Sequence, residues 1–347
     1  MSIITKDVAI IGAGPVGLFA VFQCGMLGLS SVVIDSLSDI GGQCTALYPE
    51  KPIYDIPGFP SVAAGDLIAH LEAQAAAFDP QYLLGQTVES LESVSNSDIF
   101  NLRTSSGNVV SARAVIIAAG GGAFGPNRPP LDAIKDYEGK SVFYMVRRRE
   151  DFRDKRVVIA GGGDSAVDWA LSLVDVAKSV MVVHRRDQFR AAPESVTRMR
   201  TLAAEGRIQM VVPYQLHGLE GAEGKVSAVI VSDMDGAEKR LEADVLLPFF
   251  GLASSLGPIA EWGLDIAHHH IAVNQGTAET NVPGVYAIGD IASYSNKLKL
   301  ILTGFADAAQ ASHAIYKRIH PGVELHMEYS TTKGVPQASA VPGKVTA

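Results

Sequence analysis

The sequence predicts a three-layer α/β fold in which two similar units each combine a parallel sheet with helices. Two glycine-rich segments support this prediction, because each stands between a short apolar run and a helix-compatible stretch. The two segments also repeat the same internal spacing at distant places in the chain. A length of 347 residues is enough for about two domains, and a hydrophobic content of 47% allows two buried cores.

The first glycine-rich segment directly follows the apolar strand Val8–Ile11 and precedes a predicted helix over Leu18–Leu29. Its glycines follow the order G-x-G-x-x-G and are Gly12, Gly14 and Gly17. The next predicted strand ends at Asp35, 18 residues after the last of them. This combination is typical of a Rossmann-like dinucleotide fingerprint, in which the acid accepts hydrogen bonds from ribose hydroxyls. The alternative is a glycine-rich turn in another kind of α/β protein.

In such a fingerprint each glycine has its own task. The first permits a tight turn, the second lets the backbone approach a pyrophosphate, and the third lets the helix pack on the strand. The start of the helix then carries the partial positive charge that favours phosphate.

The second glycine-rich segment repeats this arrangement after the strand Arg156–Ala160. It has the form G-x-G-x-x-A, and a helix is predicted from about Ser165 to Val176. The following strand, Val180–Val183, leads into His184, again 18 residues after the last small residue of the segment. Two fingerprints with matched spacing are far more specific than one, and they predict two dinucleotide-binding domains.

The two fingerprints end differently, and the difference has a chemical meaning. Asp35 ends the first, whereas His184, Arg185 and Arg186 end the second, with Arg190 beyond. A carboxylate there accepts from a ribose 2′-hydroxyl, while guanidinium groups bind a 2′-phosphate. The second site is therefore predicted to prefer NADPH over NADH, the alternative being a solvated basic turn.

The rest of the chain provides the elements around these two fingerprints. A helix is predicted over Asp66–Phe78, and a small β-meander over residues 86–118. Later, the apolar run Leu246–Gly251 is expected to return the chain to the first domain. Near the end, a buried strand delivers Asp290 at its carboxyl edge, where ligands bind in open α/β sheets, and a helix follows over Thr303–Ile319.

Composition narrows the function classes. The net charge of −8 argues against nucleic acid as a partner. No apolar run reaches the roughly 18 residues that predict a membrane span, and no signal-type segment precedes the first strand, so a cytoplasmic location is expected. The only cysteines are Cys24 and Cys44, and Cys24 falls in the first predicted helix. No metal site is predicted, because the consecutive residues His268–His270 cannot all face one ion in regular structure.

Over nearly the whole chain, these features resemble the flavoprotein reductases that have two dinucleotide-binding domains. The resemblance implies that the first fingerprint binds FAD and that the second binds NADPH. It also implies that the NADPH domain, residues 121–250, is inserted in an FAD domain made of residues 1–120 and 251–347. Both domains are then Rossmann-like, and the β-meander belongs to the FAD domain.

Shorter segments narrow the resemblance to the thioredoxin-reductase-like ferredoxin–NADP⁺ reductases. These segments are Ala46–Lys51, Gly161–Ala170, His184–Arg190, Ser254–Pro258 and Tyr329–Thr332. The cysteine pairs of related disulfide reductases are missing. Residues 141–148 hold no C-x-x-C, and Pro49 stands where a C-x₄-C pair would place its second cysteine. Without a second thiol, electrons are expected to pass directly from the flavin to an outside acceptor.

The resemblance also assigns residues to the two cofactors. Tyr48 and Tyr329 are expected to cover the two faces of the flavin, and no side chain is expected to act as a catalytic acid or base. The residues assigned to FAD are Gly12, Gly14, Gly17, Asp35, Gln43, Tyr48, Val88, Phe124, Asp290 and Thr331. Those assigned to NADPH are Gly161, Gly163, Asp164, Ser165, Ala166, His184, Arg185, Arg186 and Arg190.

The implied activity is hydride exchange between NADPH and FAD, coupled to one-electron exchange with ferredoxin or flavodoxin. The resemblance further implies a homodimer, because the tail of this group reaches the flavin of the partner subunit. Two alternatives stay open: another NADPH-dependent flavin reductase or oxidase, and a non-catalytic flavin redox sensor. For the acidic carrier, a basic docking patch is a hypothesis, with candidates Arg147–Arg149, Lys51, Lys297 and Lys299.

Overall fold

The computed structural model describes residues 3–95, 97–324 and 334–335, with the backbone alone at 123, 124, 126 and 252–254. The chain forms two units. The first is built from the chain up to Phe124 and from Ser254 onward, and the second is the continuous segment Gly125–Ala253. The second unit is therefore inserted between two parts of the first.

The elements are numbered in chain order. The strands are β1 (Ile3–Ile11), β2 (Ser31–Asp35), β3 (Pro52–Ile53), β4 (Val62–Ala63), β5 (Gln81–Leu84), β6 (Val88–Ser93), β7 (Phe100–Thr104), β8 (Val109–Ile117), β9 (Ala123–Pro126), β10 (Arg156–Ala160), β11 (Ser179–Val183), β12 (Ile208–Val211), β13 (Gln215–Ala222), β14 (Lys225–Ser232), β15 (Glu238–Glu242), β16 (Val245–Pro248), β17 (Leu252–Ser255), β18 (Ile266–Ala267), β19 (His270–Ala272), β20 (Val285–Ala287) and β21 (Ala292–Ser293). The helices are α1 (Pro15–Met26), α2 (Gln43–Ala46), α3 (Ala64–Ala76), α4 (Ile134–Tyr137), α5 (Asp164–Leu173), α6 (Pro193–Ala204) and α7 (Ile301–Ile319). Short 3₁₀ helices cover Arg149–Phe152, Gly257–Glu261 and Gly289–Ile291.

The main sheet of the first unit has the strand order β5-β2-β1-β8-β7-β6, with β20 also paired to β8. The strands β5, β2, β1, β8 and β20 run parallel, whereas the meander β6-β7-β8 is antiparallel. Strand β8 has two neighbours on its far edge, because β7 pairs with its residues 109–112 and β20 pairs with 115–117. The predicted β-meander is confirmed.

Alternation along β1 explains how this sheet is covered on both faces. Val8 and Ile10 point into a core that contains residues of α1 and α7. Ala9 and Ile11 point to the other face, into a core shared with the meander and with the small sheet β18-β19-β21. The first unit is therefore a layered α/β structure, with the carboxyl ends of its parallel strands gathered at one edge.

The second unit has a parallel sheet of order β12-β11-β10-β16 and an antiparallel sheet of order β13-β14-β15. One face of the parallel sheet packs on α5 and α6, while the other shares a core with β14. The expectation that Leu246–Gly251 returns the chain to the first domain is wrong for Leu246–Pro248. These residues are fully buried or nearly so and pair with β10, so they complete the second sheet before the chain leaves it.

Two further sequence expectations concern local features. His268 and His269 form the turn between β18 and β19, and both have the positive φ values that a tight two-residue hairpin requires. In the part of the chain that the structure describes, no group of three or more metal-ligating side chains could hold an ion. None of the helices described combines the length and the apolar character needed to cross a bilayer.

Candidate nucleotide sites

The first glycine turn is held in place by very close backbone contacts. Gly12 has a φ of +112°, and a Cβ at this position would lie 2.3 Å from the carbonyl oxygen of Ala118. A Cβ on Gly17 would lie 2.0 Å from the carbonyl oxygen of Gly12. The fold itself therefore requires glycine at both positions. Gly17 does not line the cleft described below, so its part in the predicted site is packing rather than direct contact.

Gly14 differs from its two neighbours in the motif. A Cβ here would meet no protein atom within 4 Å, and the residue lines an open cleft. Gly14 is also the N-cap residue of α1, and no side chain caps this helix. In the part of the chain that the structure describes, the first-turn N–H groups of α1 therefore have no side-chain acceptor, which makes this end of the helix suited to an anion.

Asp35 ends β2 beside this turn and is held in a fixed orientation. Its Oδ2 accepts a hydrogen bond from the backbone N–H of Ala13 at 2.6 Å, and its Oδ1 accepts one from Leu37 at 2.8 Å. Burial raises the pKa of this carboxyl, and the two backbone hydrogen bonds oppose that rise. Each oxygen retains a lone pair, so the side chain can accept further hydrogen bonds at the cleft that it lines.

The cleft extends along the carboxyl edge of the main sheet. The predicted FAD residues that line it are Gly12, Gly14, Asp35, Gln43, Tyr48, Val88 and Asp290. They come from five separate parts of the chain, and the fold brings them to one site. The side chain of Phe124 and the whole of Tyr329 and Thr331 lie outside the described residues.

The Gln43–Tyr48 segment lies close to the glycine turn. A Cβ on Gly42 would lie 3.2 Å from the Cα of Gly14, so these two backbones are in direct contact. Cys44 is 2% exposed, and its Sγ lies 3.9 Å from the hydroxyl of Tyr48. Burial raises the pKa of the Cys44 thiol and of the Tyr48 phenol, so both side chains are neutral at neutral pH.

The opposite wall of the cleft is formed by the segment after β20. Ile288, Gly289 and Asp290 line it, and so does Ile301, the first residue of α7. Asp290 is exposed, so its carboxylate is accessible to a ligand. Because α7 begins at this wall, its N-terminal partial positive charge acts on the cleft.

Sequence reasoning missed several residues of the cleft. Gln86 and Thr87 line it just before the meander, and Trp262 lines it beside the 3₁₀ helix Gly257–Glu261. The side-chain oxygen Oε1 of Gln86 accepts hydrogen bonds from the Thr104 hydroxyl at 2.8 Å and from the Asn108 side-chain amide at 2.9 Å. Nothing in the local sequence indicated these contacts, since they depend on the pairing of the meander.

The basic docking hypothesis needs a correction. The Lys297 side chain is only 6% exposed and forms an ion pair with Asp307, so it cannot belong to a surface patch. Arg147, Arg148 and Arg149 are exposed, and the last two pair with neighbouring acids. The sequence around Lys297 does not indicate its burial, because its partner Asp307 lies ten residues further along the chain, in α7.

The second glycine turn has the same construction as the first. A Cβ on Gly161 would lie 2.6 Å from the carbonyl oxygen of Phe249, whereas a Cβ on Gly163, the N-cap of α5, would meet nothing within 4 Å. Ala166 is fully buried, so it contributes packing, as Gly17 does in the first turn. Ser165 is exposed in the first turn of α5.

The basic segment after β11 folds back over this turn. The Arg190 N–H donates to the carbonyl oxygen of Gly162 at 2.7 Å, and the His184 ring covers the same glycine. Arg185, Arg186 and Arg190 are exposed, and in the described part of the chain none of the three forms an ion pair with an acid. These arginines therefore lie next to the open end of α5.

Two other predicted residues of this site have local partners. Asp164 Oδ1 accepts a hydrogen bond from the Ala192 N–H at 2.9 Å, which ties the start of α5 to the start of α6. Burial lowers the pKa of the half-buried His184, and the charges of the nearby arginines lower it further. The ring is therefore neutral at neutral pH, and the arginines supply the positive charge of this surface.

Comparison with known proteins places this architecture in a family. A model described as pyridine nucleotide-disulphide oxidoreductase matches residues 6–314. A protein of Rhodospirillum rubrum named ferredoxin–NADP reductase is 62% identical over 95% of this chain and 96% of its own length. One of the same name from Granulibacter bethesdensis is 60% identical over 96% of this chain and 95% of its own length.

Among solved structures, the thioredoxin reductase of Lactococcus lactis is 23% identical, with a TM-score of 0.75 over 90% of this chain and 99% of that one. At this identity the likeness concerns the fold, and it confirms the predicted α/β class. Because the family model spans most of the chain and the relatives align nearly end to end, the chain belongs to the pyridine nucleotide-disulphide oxidoreductase family.

Proposed function

We propose that this chain is a ferredoxin–NADP⁺ reductase that holds FAD in the cleft of the first unit and binds NADPH at the glycine turn of the second. The names of the relatives support the reaction. One observation carries the proposal: the chain has two nucleotide-binding turns but no pair of cysteines suited to a disulfide relay. Its sequence contains only Cys24 and Cys44.

The positions of the two thiols argue against a disulfide relay. Cys24 is fully buried in α1, where its Sγ lies 3.4 Å from the hydroxyl of Ser312. Cys44 lies in a different hydrophobic cluster, beside Tyr48. Burial raises the pKa of Cys24 to about 12 and also raises that of Cys44, so neither forms a reactive thiolate. The family takes its name from disulfide chemistry, for which this chain lacks the thiol pair.

The residues that line the cleft support the binding of FAD there. The open space at Gly14 and the uncapped start of α1 suit the pyrophosphate, while Asp35 offers lone pairs to the ribose of the adenosine. At the other end, Gln43, Tyr48 and Asp290 surround the space for the flavin and its ribityl chain.

The chemistry that bound FAD would supply is acceptance of a hydride from NADPH and one-electron exchange with a carrier. The chain itself binds, orients and shields. The ring of Tyr48 provides an apolar face that excludes water. The start of α7 stabilises negative charge at the wall of the cleft, and no side chain needs to transfer a proton.

The second unit supplies the preference for NADPH. An acid at the end of β11 would repel a 2′-phosphate, and this chain has His184 and Arg185 there instead. The exposed guanidinium groups of Arg185, Arg186 and Arg190 are available to bind that phosphate. The division of the chain into an FAD unit and an NADPH unit is part of the same proposal.

The resemblance to this group of reductases supports two further parts of the proposal, flavodoxin as a second carrier and a homodimer. A location in the cytoplasm is also part of the proposal. In the homodimer, Tyr329 and Thr331 would contact the flavin of the partner subunit. Sedimentation of the holoprotein tests the assembly, and a single species with the mass of one chain would contradict it.

Stopped-flow spectroscopy of the purified yellow protein tests the proposed reaction. We expect NADPH to bleach the flavin band much faster than NADH does, and ferredoxin then to restore it. Efficient turnover of thioredoxin would instead indicate a disulfide reductase, and rapid peroxide formation an oxidase. A flavin that NADPH reduces but ferredoxin does not reoxidise would fit a redox sensor. A protein isolated without flavin, and unable to bind it, would overturn the proposal.

A further inference from the structure

A buried polar cluster lies directly behind the wall of the cleft that carries Asp290. Its centre is Asp307, on α7, whose side chain is 3% exposed. Asp307 Oδ2 accepts a hydrogen bond from the Gly289 N–H at 3.0 Å, and Oδ1 accepts one from the Tyr294 hydroxyl at 2.9 Å. The ammonium of Lys297 pairs with Oδ2 and lies 5.1 Å from the centre of the Tyr294 ring.

This cluster joins three segments: the turn at Gly289, the loop that precedes α7, and α7 itself. Gly289 has a φ of +73° and precedes Asp290 directly, so its orientation sets where the Asp290 carboxylate points. Tyr294 and Lys297 belong to the loop between β21 and α7. One carboxylate on α7 therefore holds both the turn and the loop.

The packing next to the cluster is equally tight. A Cβ on Gly304 would lie 2.4 Å from a methyl carbon of Val16 and 3.2 Å from the Cα of Gly289. Asp307 follows Gly304 by three residues, so both lie on the same side of α7. The turn at Gly289 therefore packs between the first turns of α1 and α7, and its N–H is bound by the Asp307 carboxylate.

We propose that Asp307 is a positioning residue for the flavin site, with Lys297 and Tyr294 as its partners. It holds the Gly289–Asp290 turn so that the Asp290 carboxylate meets the ribityl hydroxyls of FAD. This inference rests on the proposed binding of FAD in the cleft. Asp307 itself does not line the cleft, so it acts through the turn rather than by contact with the cofactor.

The choice of variants can separate an effect on folding stability from an effect on the position of the Gly289–Asp290 turn. Removing one member of a buried ion pair leaves an uncompensated charge and strongly destabilises a protein. Replacing both members by apolar residues of similar size is often neutral for stability. The double variant Asp307→Leu/Lys297→Met therefore keeps a packed interior, yet it leaves the Gly289 N–H and the Tyr294 hydroxyl without their acceptor.

The experiment titrates each apoprotein with FAD, following flavin fluorescence, and measures its thermal unfolding midpoint in parallel. The double variant is expected to unfold within a few degrees of the wild type, while its Kd for FAD rises about tenfold or more. Tyr294→Phe removes one of the three donors and is expected to give a smaller rise. Ser312→Ala is the matched control, because it removes a buried polar contact further along the same helix.

The outcomes separate the two levels of the proposal. A wild-type apoprotein that does not bind FAD would overturn the proposed function. A wild type that binds FAD together with a double variant of equal affinity would overturn the positioning role of Asp307. A loss of affinity in Ser312→Ala as large as that in the double variant would also overturn it, since any disturbance of α7 would then suffice.

Discussion

Gly14→Ala is expected to abolish tight FAD binding without harming the fold. Gly14 has φ −69° and ψ 179°, an extended conformation that alanine adopts freely. The added methyl would meet no protein atom within 4 Å, so the free energy of unfolding of the apoprotein is expected to change by less than about 0.5 kcal/mol. In the proposed complex with FAD, the same methyl would occupy space that the pyrophosphate needs.

The magnitude follows from the contacts that the methyl blocks. If it prevents two first-turn N–H groups of α1 from reaching phosphate oxygens, the loss is about 1.5–3 kcal/mol for each hydrogen bond to a charged group. Together these amount to about 3–6 kcal/mol, or roughly a 10²- to 10⁴-fold rise in the Kd for FAD. Fluorescence titration of the apoprotein measures the Kd, and urea unfolding measures the stability.

Gly12→Ala and Gly17→Ala provide the contrast. At these positions the new Cβ would lie 2.3 Å and 2.0 Å from backbone oxygens, so the backbone must shift and the apoprotein is expected to lose stability or fail to fold. Wild-type affinity for FAD in Gly14→Ala would refute the reasoning. So would a loss of stability in that variant as large as in Gly17→Ala.

Three further predictions concern other parts of the molecule. The double variant Arg185→Gln/Arg186→Gln is expected to lower kcat/KM for NADPH about 10- to 100-fold in steady-state kinetics and to leave kcat/KM for NADH nearly unchanged. Arg240→Gln, which changes an exposed arginine of the same unit outside the predicted sites, should alter neither value. Cys44→Ser is expected to keep ferredoxin reduction within about twofold of the wild type, because a hydroxyl can replace the weak thiol contact to the phenol; a loss of activity beyond about 100-fold, with flavin still bound, would return thiol chemistry to consideration. Because the pKa of His184 is lowered in the folded state, the unfolded chain binds more protons as the pH falls below about 6.5, and stability is lost there. His184→Gln should therefore flatten the pH dependence of the apoprotein unfolding midpoint between about pH 7 and pH 5, and an unchanged slope would contradict this assignment.

The sequence was most informative where local chemistry alone determines the structure. The glycines at 12 and 17 are required by contacts within one strand–turn–helix unit, so their spacing already predicted that unit. The observed helices begin and end within a few residues of the predicted bounds. In α1, Pro15 fits the first helical position, so the helix begins before the predicted start at Leu18.

Features that depend on distant pairing could not be predicted in this way. The apolar residues of β16 fit a strand in either unit, and only their register against β10 decides between them. In the sequence, Asp307 is simply one residue of the predicted helix Thr303–Ile319, and its contacts to Gly289 and Lys297 arise from the way the preceding segments fold. The lining residue Gln86 likewise depends on how the meander pairs.

The pairing of β20 with β8 has a consequence for the order of events during synthesis. Every strand of the parallel sheet in the second unit has been synthesised once β16 is made, whereas the wall formed by Ile288–Asp290 and Ile301 is made and emerges later. Since domains generally fold as units, the inserted unit can close its core while its host is still incomplete. A nascent chain stalled far enough beyond Ala253 for this residue to have cleared the ribosome exit tunnel should therefore already carry a folded nucleotide module, whereas the yellow cofactor can be captured only near the end of translation.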